Sequence, residues 1–212
     1  MPVRKIPRSH TSITGRYSLG PGKGSVGFES TLERDFVRLM AFDPDVTSIE
    51  EQPVRIDYAD DTGRPHHYTP DYLVHRHNAP PLLAEVKPTK FLKPDLQPKF
   101  DAAQVYASKR DWVFEVWTEK DIRTQKLTHI RLLEPYRRRQ EDPGRMARIL
   151  RQVDDSGPIR ARDLLTACWT DKEELEQGEI ALWHLIAIGK LLTDMEHPLT
   201  DDSILFGQGR PS

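Results

Sequence analysis

One cysteine in 212 residues, Cys168, leaves no partner for an internal disulfide and no thiolate zinc cluster, and it fits a reducing cytoplasm. Long apolar runs are missing too. No stretch is long and apolar enough to span a membrane or to form the core of a signal peptide, so no membrane partner is expected. A large charge of one sign is also absent: 31 Lys and Arg against 33 Asp and Glu give a formal net charge of −2, which does not mark a nucleic-acid binder by itself. Distribution says more than the sum. Residues 1–28 contain no acid but carry Arg4, Lys5, Arg8, Arg16 and Lys23, and Arg137, Arg138 and Arg139 follow Tyr136. A flexible basic arm over 1–25 and a basic linker over 134–141 are each suited to lie along a phosphate backbone. Lys90 and Lys93 add positive charge to a third segment.

What is present centres on Tyr68 to Lys87. Tyr68-Thr69-Pro70-Asp71-Tyr72-Leu73-Val74 and Leu82-Leu83-Ala84-Glu85-Val86-Lys87 read as strands, and the polar, Pro-rich turn His77 to Pro81 joins them into a hairpin. Residues two apart on a strand share a face, so Glu85 and Lys87 point together while Val86 faces the opposite layer. Two carboxylates, Asp71 and Glu85, thereby meet one ammonium, Lys87. Oxygen donors of this kind suit Mg²⁺ or Mn²⁺ held against a phosphate. A cation there polarises a phosphodiester and acidifies a bound water, and a lysine beside it orients or deprotonates that water. The parts fit phosphodiester hydrolysis.

Around this hairpin the periodicity predicts an α/β domain over 26–133. Phe28, Leu32, Phe36, Leu39 and Met40 recur at helical spacing until Asp43-Pro44 stops the run. Glu29 and Glu33 sit four apart at the edge of that stripe, where either acid could reach the hairpin site. Ile49 to Tyr58 alternates as one half-buried strand, giving a three-stranded antiparallel meander with the hairpin. A helix from Phe100 to about Lys109 then leads to the apolar strand Trp112 to Trp117, which a crossover of this length makes parallel to its neighbour. His66, His67, His75 and His77 crowd the strands, but without nearby cysteines they read as exposed strand ends rather than a zinc site. Gly22 to Gly27 matches the dinucleotide fingerprint formally and lacks its strand and βαβ context.

The order helix, three antiparallel strands, helix, strand, with Asp71 and Glu85-Val86-Lys87 on the second and third strands, resembles the restriction-endonuclease-like PD-(D/E)xK nucleases. Five separated motifs resemble the TnsA-type endonuclease subunit of heteromeric transposases. They are Glu29-Ser30-Thr31-Leu32-Glu33-Arg34-Asp35-Phe36, Phe42-Asp43-Pro44-Asp45-Val46, Glu51-Gln52-Pro53, Tyr68 to Val74, and Glu85-Val86-Lys87-Pro88. The resemblance implies a Mg²⁺-dependent DNA endonuclease (Mn²⁺ substituting) with Glu33, Asp71, Glu85 and Val86 at the metal and Lys87 acting on the water. Glu33 matches the family's helix acid, with Glu29 as the fallback. It also implies double-stranded transposon ends as substrate, hydrolysis of the non-transferred strand at the 5′ ends, a DDE-type transposase that makes the 3′ cuts, and an ATP-dependent regulator contacting the C-terminal region. Two other readings remain at this stage: a non-catalytic adaptor on a nuclease scaffold, and a freestanding repair or phage nuclease.

Residues 142–212 read as a second domain. Helices are expected around Met146 to Val153, Ile159 to Cys168 and Leu175 to Gly189, followed by a hairpin of Lys190 to Asp194 and Ser203 to Phe206, the content of a winged helix. The third helix starts with Glu173, Glu174, Glu176 and Glu179, which opposes insertion into a DNA groove and favours docking to protein. DNA contact through Arg160 and Arg162 is the alternative.

Overall fold

The computed structural model describes residues 13–20, 24–60 and 62–208. Two compact units divide the chain, Met1–Arg123 and Thr124–Ser212.

The first unit opens with β1 (Gly15–Ser18) and β2 (Ser25–Phe28), an antiparallel pair in which Tyr17 sits opposite Val26. The expectation of a flexible arm to residue 25 is therefore corrected for 15–18. A short alternation, buried Tyr17 between exposed Arg16 and Ser18, was masked by Ser- and Gly-rich composition. Arg4, Lys5, Arg8 and Lys23 lie outside the described residues.

α1 (Thr31–Phe42) begins at Ser30, whose side chain accepts from the Glu33 N–H, a cap worth about 1 kcal/mol. It buries Leu32, Phe36, Val37, Leu39 and Met40. Asp35 is also buried, ringed by Arg34 (3.6 Å), Arg38 (3.3 Å) and Arg123 (3.2 Å). Arg123 follows α3 (Glu119–Ile122), so this carboxylate ties the end of the unit to its first helix.

Next come β3 (Val46–Glu51), β4 (Ile56–Ala59), β5 (Pro65–Tyr68), β6 (Tyr72–Arg76), β7 (Leu82–Val86), α2 (Gln97–Ser108) and β8 (Val113–Trp117). The main sheet has the order β3-β6-β7-β8, antiparallel except for the parallel β7–β8 pair. The single strand expected over Ile49 to Tyr58 is two strands. Gln52 takes a left-handed φ of 47° and Pro53 cannot donate to a ladder, so the chain leaves the sheet there and makes the separate hairpin β4–β5 before returning as β6. Every residue of β7 is buried because both faces are covered. Phe36 of α1 stacks on Tyr72 at 5.4 Å and meets Trp117 edge-on at 5.3 Å. Leu73 and Leu83 join a core cluster with Ala103 and Ala107 of α2.

The second unit holds α4 (Gln125–Arg137), α5 (Pro143–Ser156), β9 (Ile159–Arg160), α6 (Ala161–Cys168), α7 (Lys172–Ala187), β10 (Leu191–Thr193) and β11 (Ile204–Gly207). The three strands pair in the order β10-β11-β9. The linker placed at 134–141 is displaced, since α4 runs through residue 137, buries Leu127, Ile130 and Leu133, and receives a 2.8 Å bond at its Tyr136 carbonyl from His184 of α7. Those apolar positions give α4 a buried face that the sequence reading assigned to the nuclease domain.

Gly178 lies inside α7 against Trp169. An alanine Cβ there would stand 2.4 Å from the indole, a rigid and buried group. Gly→Ala in a helix ordinarily stabilises by about 1 kcal/mol. Here the clash reverses the sign, and Gly178→Ala is expected to lose about 1–3 kcal/mol in urea unfolding.

Candidate active site

Asp71 immediately precedes β6. One step beyond the Tyr72–Ala84 pair, the antiparallel register sets it opposite Glu85, and its Oδ2 accepts the Val86 N–H at 2.7 Å. Asp71 is half-buried and lines a pocket of about 370 Å³. Burial, then the charges of Glu85 and Glu33, hold its carboxyl well above the usual aspartate range, against the smaller pull of the Val86 N–H and Lys87.

Glu85 is buried and clamped. The Tyr68 hydroxyl donates to its Oε2 at 2.7 Å, while Lys99 Nζ lies 2.8 Å and Lys87 Nζ 3.6 Å from its Oε1. Lys87 and Glu85 thus share one side of β7, as their spacing requires. Burial and the Glu85 charge push the Tyr68 phenol far above its ordinary value, so it stays a donor.

Glu33 reaches back from the first turn of α1. Its Oε2 accepts the Glu29 N–H at 2.7 Å and lies 3.4 Å from the Tyr72 hydroxyl, which itself donates to the Gly27 carbonyl at 2.9 Å. Burial raises the Glu33 carboxyl; the Glu29 N–H and Ser30 oppose the shift, and the neighbouring Glu29 charge adds to it. Glu29 lines the same pocket and accepts from Gln52 Nε2 at 3.1 Å. Gln52 also donates its backbone N–H to the Asp71 carbonyl at 2.8 Å. Glu51, a further lining residue, accepts from the Gly27 N–H and pairs with Arg16 at 3.1 Å.

The hairpin and helix acids predicted from sequence therefore come together. The basic candidates do not. Arg16 is engaged with Glu51 and with Ser25, Arg139 pairs with Glu141 at 3.1 Å, and Lys90 and Lys93 are exposed on the segment after β7. Arg137 and Arg138 close α4 in the second unit. Lys99, Gln52, Tyr68 and Tyr72 were missed as site groups. Gln52 had a signal, its place in the Glu51-Gln52-Pro53 motif, whereas Lys99 read only as one of several lysines.

The donor chemistry fits a divalent cation. Glu33 and Asp71 open on one pocket, all the donors are oxygen, and the mutual repulsion that raises Asp71 is what a bound cation relieves. Among the described residues, no three His, Cys, Asp or Glu side chains already converge as a ligand set, because Glu85 is turned to Tyr68, Lys99 and Lys87.

The raised Asp71 carboxyl has a stability consequence. The folded protein holds this proton more tightly than the unfolded chain, so stability falls as pH rises from 3.8 toward the folded value. Asp71→Asn is expected to unfold at higher temperature than wild type at pH 7 without divalent cations. The gain should shrink as pH falls from the folded value toward the unfolded one and vanish below it; equal stability at pH 7 would contradict the assignment.

No curated protein shows a detectable match to the chain. Residues 43–119, however, match the family described as TnsA-like endonuclease N terminal. That span runs from β3 to the first residue of α3, taking in Asp71, Glu85, Lys87 and Lys99, while Glu29 and Glu33 precede it. Over residues 43–119 the chain is similar to the TnsA-like endonucleases.

Proposed function

We propose that the chain is the Mg²⁺-dependent DNA endonuclease subunit of a heteromeric transposase, hydrolysing the non-transferred strand at the 5′ ends of the element during cut-and-paste movement. The observation that carries this reading is the convergence of Asp71, Glu33, Glu85 and Lys87 at one end of β6–β7 within a TnsA-like endonuclease domain. Asp71 and Glu33 would hold the cation, with Glu85 and the Val86 main chain beside them. Bound there, Mg²⁺ would supply Lewis acidity toward the phosphoryl oxygens and would lower the pKa of a water.

Lys87 orients that water and offsets the charge that develops on the phosphoryl group. The water oxygen would bond to phosphorus in line while its proton passes to solvent, the P–O3′ bond would break, and the 3′ oxygen would take up a proton from solvent. The products are 3′-hydroxyl and 5′-phosphate ends, without a covalent enzyme intermediate. The β3-β6-β7-β8 order between α1 and α2 supports a restriction-endonuclease-like core.

Partners follow from the family. A DDE-type transposase would make the 3′ cuts and joining, and an ATP-dependent regulator would dock on the second unit. The succession α5, β9, α6, α7, β10, β11 supports a winged-helix reading of that unit. Docking to protein is favoured over DNA because α7 starts with Glu173 and Glu174, and because Arg162 pairs with Asp202 at 3.0 Å.

Nicking of labelled element-end DNA, with Mg²⁺ and with or without a DDE-type transposase partner, tests the proposal. Partner-dependent cleavage at a 5′ end is expected, falling at least about 100-fold in Asp71→Ala and Lys87→Ala. Cutting without the partner would indicate a freestanding nuclease. Equal inertness of wild type and variants beside intact 3′ cutting would leave only an adaptor.

A further inference from the structure

We propose that Lys99 is a second lysine of this site, binding a non-bridging oxygen of the phosphodiester that Asp71 and Glu33 face; the proposal rests on the nuclease reading above. A phosphodiester is an anion, and the pocket it would enter is lined by four carboxylates, Glu29, Glu33, Glu51 and Asp71. Lys99 is the one Lys or Arg among the described lining residues; Lys87, though close to Glu85, does not line the pocket. Without a cation on its wall, the pocket repels the substrate it is shaped to hold.

The Lys99 head is already fixed for that task. It projects from the first turn of α2 with its side chain 15% exposed, lying 4.5 Å from the Tyr68 ring centre and 5.0 Å from that of Phe100. Its 2.8 Å bond to Glu85 Oε1 holds it at the pocket wall, and the Tyr68 hydroxyl fixes the other oxygen of the same carboxylate. An ammonium has three donors, and one is given to Glu85. Preorganised in this way, it can bind phosphate with little loss of rotamer freedom. The two lysines then divide the work: Lys87 serves the water and Lys99 the phosphate.

A simpler role, neutralising buried Glu85, makes a different prediction. If Lys99 only balances that charge, Glu85→Gln/Lys99→Gln, which removes both charges together, should cut as well as Glu85→Gln. If Lys99 binds phosphate, the double variant should cut about 10- to 100-fold more slowly than Glu85→Gln, the loss expected for one hydrogen bond to a charged group. Lys99→Arg should retain most of the activity.

Binding supplies a readout independent of cleavage. Titration of an element-end duplex without divalent cations, over a range of salt, should give the full-length double variant a slope of log K against log salt shallower than Glu85→Gln by about 0.9, one phosphate contact. Unchanged slope, or cleavage equal to Glu85→Gln, would overturn the proposal. Should wild type fail to cut with its partner present, the nuclease reading fails, and the salt slope still decides whether Lys99 meets phosphate.

Discussion

Carboxylates crowded into a pocket repel one another, and the architecture around Asp71 is arranged by that repulsion. The register of β6 on β7 sets Asp71 against Glu85, and α1 brings Glu33 to the same place. Each acid is then stabilised separately. Asp71 takes the Val86 N–H, Glu85 takes Tyr68 with two lysines, and Glu33 takes the Glu29 N–H. Asp71, which the other two charges push up, has the weakest compensation. It is therefore the position at which the proposed cation would gain most.

The scaffold holds this arrangement because its central strand cannot shift. β7 is buried on both faces and paired on both edges, antiparallel to β6 and parallel to β8. A slip of one residue would turn Glu85 and Lys87 to the opposite face and bring Val86 into their place. The strain at Gln52 belongs to the same design. A non-glycine residue at φ 47° costs on the order of 1–3 kcal/mol, and it persists where the surroundings over-determine it. Here the Gln52 N–H is fixed on the Asp71 carbonyl and its amide on Glu29, so the strained turn links β3, the start of β6 and the entrance to α1.

Much of this was legible in the sequence wherever side-chain period set the answer. Alternation put Glu85 with Lys87, and helical spacing put Phe36 on the sheet. Legibility failed where a single residue or a distant partner decided. Gln52 and Pro53 break what reads as one alternating strand into β3 and β4. The pair β1–β2 depends on Tyr17 meeting Val26, a contact that Ser- and Gly-rich composition conceals. α4 was assigned to the wrong unit because Leu127, Ile130 and Leu133 declare a buried face without declaring what covers it. Lys99 was lost among other lysines for the same reason, since its partner Glu85 lies fourteen residues away across a crossover.

Glu33 joins the two halves of this account. Ser30 accepts its backbone N–H while its own carboxylate returns to the Glu29 N–H, so it closes the first turn of α1 as a capping residue would. The same carboxylate faces the pocket and raises Asp71. Glu29 is instead tied through Gln52 to the end of β3. Glu29 precedes the cap of α1, so of the two candidate acids Glu33 is the one that α1 itself carries and whose charge Asp71 feels. An acid that also closes the start of a helix cannot drift without unwinding that turn, and this rigidity is what the proposed cation site would require.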